Sequence, residues 1–172
     1  MSGTGPTLAR TFEVEDSYRN LQAYFDYCYE KGWTDGLPVY PPTEEALQAM
    51  LRYTDRGRHD VIAEIPPRNG AATVEKIAIN AVMAGCRPEY LPVLLAAAEA
   101  VADPDFNLQG IQSTTNPGTV FLILNGPIAR KLGVNSGNNC LGQGNWANAT
   151  LGRGLRLILQ NIGGALPGEM DR

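Results

Sequence analysis

The loop from Asn135 to Asn145 contains the residues best suited to chemistry. It reads Asn-Ser-Gly-Asn-Asn-Cys-Leu-Gly-Gln-Gly-Asn, and a predicted helix follows it directly. Asparagine side chains both donate and accept hydrogen bonds, and glycine lets backbone N–H groups approach a ligand closely. The first turn of a helix adds unpaired donors and the positive end of the helix dipole. The pattern predicts a site for a carboxylate or another oxyanion.

Cys140 is the candidate catalytic group of this loop. A thiol just before a helix N-terminus lies in a field that favours the thiolate, which is the nucleophilic form. The candidate ligand-binding residues surround it: Asn135, Ser136, Asn138, Asn139, Gly142, Gly144 and Asn145. The alternative stays open that the asparagines and glycines serve left-handed turn positions and that Cys140 is a small packed residue.

Glu75 and Lys76 are the candidate proton-transfer groups, in the first turn of a helix predicted to begin at Thr73. The alternative is that Glu75 complements the helix dipole and Lys76 lies on a solvated face. His59 is the single histidine and a ready base near neutral pH, but no spacing argument brings it to Cys140.

Three further charged residues have two interpretations each. Asp35 precedes Gly36 and is either a turn former or an exposed catalytic carboxylate; the turn is the better supported of the two. Arg153 and Arg156 lie further along the last predicted helix. Either one turns towards an anionic ligand, or both are solvated.

The order of helices and strands in the sequence predicts one α/β or α+β domain over residues 17–172, in which several helices pack on a mixed sheet. Residues 1–16 are expected to form an arm before this domain. Helices are expected from Ser17 to Gly32, from Thr43, from Thr73, from Pro88 to Asp103, over Pro127–Leu132 and from about Asn145 to Ile162. Strands are expected over Val61–Ile65, Leu108–Thr114 and Thr119–Leu124, the last two forming a hairpin around Asn116-Pro117-Gly118.

Composition excludes several classes of protein. A net charge of −4, with basic residues scattered singly, argues against nucleic acid as a partner. The longest apolar runs are too short to cross a bilayer, and the first residues lack a basic and apolar leader, so we expect a cytoplasmic protein that does not bind membranes. Three widely spaced cysteines predict reduced thiols, and one histidine without a CxxC motif predicts no metal site. The sequence identifies no cofactor.

Several segments resemble a broad group of largely uncharacterised bacterial proteins. They are Trp33–Pro38 (WTDGLP) with Pro41–Thr43, Val74–Glu89 (VEKIAINAVMAGCRPE), and Asn125–Ala129 (NGPIA) with Asn135–Gly137 (NSG). Those proteins are roughly twice as long and are associated with thiol or selenol proteins of the UGSC type. The resemblance implies a small-molecule enzyme with sulfur or redox chemistry, of which this chain would be the N-terminal half. The UGSC tetrapeptide is absent here, so no redox residue carries over.

Two functions therefore stand as hypotheses. The first is a thiol-dependent lyase, hydrolase or oxidoreductase that acts on a small anionic molecule through Cys140. The second is a non-catalytic half of a larger protein that binds a ligand or a partner. Both a partner domain and a homo-oligomer stay open.

Overall fold

The computed structural model describes residues 18–169, without the side chain of Tyr18. The predicted N-terminal arm and the predicted cap Ser17 lie outside the described residues. The helices are α1 (Tyr18–Glu30), α2 (Glu44–Leu51), α3 (Val74–Met83), α4 (Leu91–Ala102), α5 (Leu108–Gln112), α6 (Pro127–Lys131) and α7 (Trp146–Asn161); 3-10 turns cover Pro88–Tyr90 and Pro104–Phe106.

The sheet of the described chain has two antiparallel strands, β1 (Val61–Ile65) and β2 (Gly70–Thr73). Ile65 pairs with Gly70 at the turn, and the register shifts between Val61 and Ala63. This small sheet with packed helices confirms the α/β or α+β class. Strand β2 is absent from the sequence-based prediction because four small residues carry almost no alternating apolar pattern.

Helix α3 is the centre of the core. Its predicted apolar stripe is fully buried at Val74, Ile77, Ala78 and Ala81, and the helix packs against α7, α2 and α4. Two side-chain hydrogen bonds show that α3 and α7 run antiparallel. Trp146 Nε1 at the start of α7 donates to Gly85 O at 2.7 Å, and Asn161 at its end donates to Asn80 Oδ1 at 2.7 Å.

The helix starts follow the capping residues in the sequence. Thr43 Oγ1 accepts from Ala46 N, and Thr73 Oγ1 accepts from Lys76 N. Both bonds satisfy a donor that the first helical turn leaves without an intrahelical partner. Pro88 opens a 3-10 turn before α4 begins at Leu91.

The predicted hairpin over residues 108–124 is wrong, because neither of its two strands forms. Leu108–Gln112 forms the short helix α5, in which Leu108 and Ile111 share a face because they are three residues apart. Asn107, with a φ of 52°, joins the preceding 3-10 turn to α5. Residues 117–125 have no regular secondary structure and belong to no strand of the described sheet, so the predicted strand Thr119–Leu124 is absent.

None of the described helices combines the length and apolarity that a membrane span requires.

Gly70 marks the closest approach of the sheet to the end of α7. A Cβ at this position would lie 1.9 Å from the backbone oxygen of Ile162. Backbone moves less easily than a side chain, so we expect Gly70→Ala to lower the free energy of unfolding by about 3 kcal/mol, the upper end of the cost of overpacking.

Urea unfolding of Gly70→Ala beside Gly137→Ala checks this expectation. A Cβ on Gly137 meets its nearest neighbour, Asn135 Oδ1, at an ordinary 3.5 Å, so this control should unfold close to the wild type. Equal midpoints for the two variants would contradict the close approach.

Candidate functional site

The loop before α7 ends at Asn145, which is the N-cap of that helix. Asn145 Oδ1 accepts from Asn148 N at 3.1 Å, and Asn145 Nδ2 donates to Gly133 O at 3.3 Å. One side chain therefore caps the helix and closes the two ends of the loop on each other. The helix begins at Trp146, so Cys140 lies before the cap and outside the first helical turn.

Asn148, in the first turn of α7, forms hydrogen bonds with the backbone of the loop. Its Oδ1 accepts from Asn135 N, and its Nδ2 donates to Asn135 O and to Cys140 O, each at 2.9 Å. Sequence reasoning missed this residue. The signal that could have found it is spacing, because Asn148 lies three residues before Leu151 on the apolar stripe of α7, where a polar side chain must find partners.

The predicted ligand-binding asparagines bond mainly within the loop. Asn135 Nδ2 donates to Asn138 O at 3.0 Å and its Oδ1 accepts from Gly137 N, while Asn139 Nδ2 donates to Gln143 O at 2.8 Å. Asn139 and Gly144 have positive φ angles of 60° and 99°. These observations favour the turn-forming interpretation for Asn135, Asn139 and Gly144.

The other predicted loop residues are more open. Ser136 and Asn138 are exposed, and their side chains make no hydrogen bond to a described residue. Gly142 N donates to Asn139 O at 2.9 Å, and a Cβ on Gly142 would overlap the Asn139 amide. A side chain on Gly142 would therefore have to displace the Asn139 amide.

Cys140 is the one cysteine of the three that is not buried. Cys28 is 0% exposed in the core, and burial raises its pKa, partly offset by a hydrogen bond with Tyr24. Burial also raises the pKa of Cys86 to about 12, although its hydrogen bond to Thr150 O and the charge of Arg153 act in the opposite direction. Reagents in solution therefore reach the thiol of Cys140 most easily.

The structure does not bring Glu75 and Lys76 to Cys140. They occupy the first turn of α3 and Cys140 precedes the first turn of α7, so the antiparallel packing places them at opposite ends of the pair. Helix α7 alone is about 24 Å long. Lys76 Nζ donates to Ala71 O at 2.9 Å, and Glu75 pairs with Arg58 at 2.6 Å.

His59 also lies with Glu75 rather than with Cys140. Its Nδ1 is 3.4 Å from Glu75 Oε2, and its side chain is 81% exposed. Arg58 bonds both Glu75 and Glu44. This cluster is a network of ion pairs that joins α2 to α3.

Asp35 and Arg153 form an ion pair that sequence reasoning left as two separate residues. Arg153 Nε and Nη2 donate to the two carboxylate oxygens at 2.9 and 2.8 Å, and Nη2 also donates to Pro38 O at 2.8 Å. Both side chains are only 19% exposed. Burial raises the pKa of Asp35, but the hydrogen bonds and charge of Arg153 outweigh this effect and hold it below its ordinary value.

Two amides at the end of α7 bond the backbone around Asp35. Gln160 Nε2 donates to Gly32 O and Thr34 O, both at 2.9 Å, and Asn161 Nδ2 donates to Trp33 O at 3.0 Å. The turn interpretation of Asp35 is supported by its acceptance of Leu37 N at 3.4 Å. The segment 32–38 is thus attached to α7 by side chains and contributes a structural carboxylate.

A cavity of about 310 Å³ lies between α5, the segment 114–120 and α7. This volume is at the lower end of the range of small-molecule pockets. Its walls are formed by Leu108, Ile111, Gln112, Thr114, Asn116, Gly118, Thr119, Val120, Gly152, Leu155, Arg156, Leu159, Ala165, Leu166 and Pro167.

Arg156 is the only charged residue among those walls. Its Nη2 donates to Ala165 O at 3.2 Å, and no ion pair joins it to a carboxylate of the described chain. A guanidinium has five N–H donors, so most of them are free for a ligand. Gln112, in the same wall, donates to Pro66 O, and its Oε1 is buried without a partner in the described chain.

Comparison of the chain with family models, with curated proteins and with solved structures found no match in any of the three. Within residues 18–169, no three His, Cys, Asp or Glu side chains are grouped so that they could hold a metal ion.

The pair of Asp35 and Arg153 predicts a dependence of stability on pH. Because the folded pKa of Asp35 is below its ordinary value of 3.8, its contribution is present in full above that pH and is lost as pH falls through the folded pKa. We expect Asp35→Asn to cost about 2 kcal/mol at neutral pH, as for a hydrogen bond to a charged group, and much less in strong acid.

Urea unfolding at pH 7 and in acid measures this difference. Asp55→Asn is the matched control, because Asp55 is exposed and has no ion pair within the described chain. A cost of Asp35→Asn that is the same at both pH values would show that the carboxylate charge does not stabilise the fold.

Proposed function

We propose that this protein binds a small anionic molecule in the cavity beside Arg156. The single observation that carries the proposal is that one unpaired arginine supplies the only charge among the walls of an otherwise uncharged cavity. Arginine matches the planar geometry of a carboxylate and donates two parallel hydrogen bonds to it.

The remaining walls define the class of ligand. Leu108, Leu155 and Leu159 offer an apolar surface, and Thr114, Asn116 and Thr119 offer hydroxyl and amide groups. A ligand that fits has a carboxylate that meets Arg156 and a body that carries both apolar and hydrogen-bonding groups. Of the two hypotheses from the sequence, these cavity walls support a ligand-binding protein rather than a thiol-dependent enzyme.

A cytoplasmic location belongs to the same proposal. All three cysteines are free thiols, which suits a reducing compartment.

Calorimetric titration with a series of short carboxylates, such as hexanoate and 3-phenylpropanoate, tests the proposal. We expect Arg156→Gln to weaken binding about 10- to 100-fold, since a hydrogen bond to a charged group contributes about 1.5–3 kcal/mol. The corresponding neutral amides should bind as weakly to the wild type as the acids bind to Arg156→Gln.

Two more variants separate the cavity from general charge effects. A side chain on Gly152 meets nothing within 4 Å of its Cβ, so Gly152→Leu should fill the cavity and block binding while the fold remains. Arg130→Gln removes an exposed arginine outside the cavity and should bind like the wild type. The proposal fails if no carboxylate binds, or if Arg156→Gln and Arg130→Gln have equal affinities.

A second candidate is thiol chemistry at Cys140, and the exposure of this cysteine favours it. The reaction would be that of a lyase, hydrolase or oxidoreductase. Glu75 and Lys76 would need to act from the far end of the α3–α7 pair, so a nearer acid or base is required.

Alkylation with iodoacetamide tests this candidate. In the native protein we expect modification of Cys140 alone, with Cys28 and Cys86 modified only in urea, because both are buried. A thiol activated by the fold should react faster in the native protein than in urea. If Cys140 reacts no faster when folded, thiol catalysis loses its support.

A further inference from the structure

The segment from Thr119 to Asn125 has no strand beside it in the described chain. None of its N–H or C=O groups makes a hydrogen bond to another described residue. Its side chains alternate as in a sheet. Val120, Leu122 and Leu124 are half-buried against the core, while Phe121 and Ile123 are 65% and 76% exposed.

Such an edge is a template for another strand. Edge strands in natural proteins are commonly protected by charged side chains or by proline, and residues 119–125 contain neither. Pro117 and Pro127 bound the segment, and since proline has no N–H they limit pairing to about residues 118–126. The missing partner therefore has the chemistry of a short, uncharged, extended peptide.

The sequence of the segment is complementary to itself. In an antiparallel pair centred on Leu122, Thr119 faces Asn125 of the second copy, and Val120 faces Leu124. Phe121 then faces Ile123, and Leu122 faces Leu122. Every polar residue thus meets a polar residue and every apolar residue meets an apolar one, which is the arrangement that stabilises paired strands.

Charge favours the same occupant. Each chain has a net charge of −4, so two copies repel each other unless they meet at an uncharged surface. Residues 106–129 contain no Asp, Glu, Lys or Arg, and the segment lies in the second half of this stretch. A two-fold axis at Leu122 therefore places no like charges opposite each other.

We propose that a second copy of this chain pairs with residues 119–125 as an antiparallel strand, forming a two-fold symmetric dimer. The contact is smaller than a standard interface, which has about 20–30 residues a side, so the dimer should dissociate on dilution. None of the observations behind the dimer requires a ligand in the cavity.

Light scattering coupled to size exclusion tests the dimer. We expect a mass twice the 18.6 kDa of one chain at high concentration, falling on dilution. Ile123→Lys should give the mass of one chain at the same concentration. Leu141→Lys is the control, because Leu141 is 81% exposed but lies outside the segment, and it should keep the dimer.

Three results would overturn the proposal: a wild type that stays monomeric at the highest concentration that remains in solution, an Ile123→Lys variant that still forms the dimer, or loss of the dimer in both variants. Because both substituted side chains are exposed, circular dichroism should confirm that both variants are folded.

Cross-linking tests the register. In the proposed pair the two Leu122 Cα atoms lie about 4.5–5.5 Å apart, within the range of a disulfide. In a Cys140→Ser background, Leu122→Cys should form a covalent dimer on oxidation. Val120→Cys should not, because the two copies of residue 120 lie about 13 Å apart along the strands. Cross-linking at 120, or none at 122, would contradict this register.

Discussion

The close antiparallel packing of α3 on α7 is the constraint on which the rest of the structure depends. In the middle of α7, Gly154 lets α4 and the turn after α3 approach the helix, since a Cβ there would meet Leu94 and Cys86 at 3.2–3.3 Å. At the far end, Gly70 and Gly163 let β2, β1 and the end of α7 approach each other without side chains between them. Small residues at these points set the distance at which the larger core side chains must fit.

Helix α7 contributes side chains to the Cys140 loop, to the ion pair with Asp35 and to the cavity. Its first turn caps and holds the loop with Cys140, Arg153 and Gln160 attach the segment 32–38, and Arg156 faces the cavity. The two arginines are three residues apart and thus lie on neighbouring positions of one helix face. Arg153 bonds the Asp35 carboxylate and two carbonyl groups, whereas Arg156 has a single carbonyl partner. The difference in partners, rather than in residue type, separates a structural arginine from a candidate binding arginine.

The sequence predicted elements with strong local signals. Thr43 and Thr73 cap the helices that they were expected to cap, and the stripe from Val74 to Ala81 is buried as its spacing indicates. The failures have physical causes. The apolar residues Leu108 and Ile111 fit a helix as well as a strand. Residues 119–125 have the alternating pattern of a strand, but a local pattern does not show whether a second strand lies beside them. The residues of the Asn135–Asn145 loop are neighbours along the chain, so the sequence was sufficient to identify them. The distance of Glu75 and Lys76 from Cys140 depends on how α3 packs on α7, and this tertiary contact has no local signal in the sequence.

The segment from Thr114 to Asn125 connects the cavity with the proposed dimer. Residues 114–120 form one wall of the cavity, and residues 119–125 form the proposed contact, so Thr119 and Val120 belong to both. Because the backbone of this segment is held by no hydrogen bond to another described element, its position depends on the side chains that pack beneath it. Strand pairing fixes the backbone of the residues that it joins. If one wall of the cavity is already fixed, a ligand that binds there loses less conformational entropy of the protein. Linkage is reciprocal, so a ligand that orders residues 114–120 would in turn favour pairing at residues 119–125.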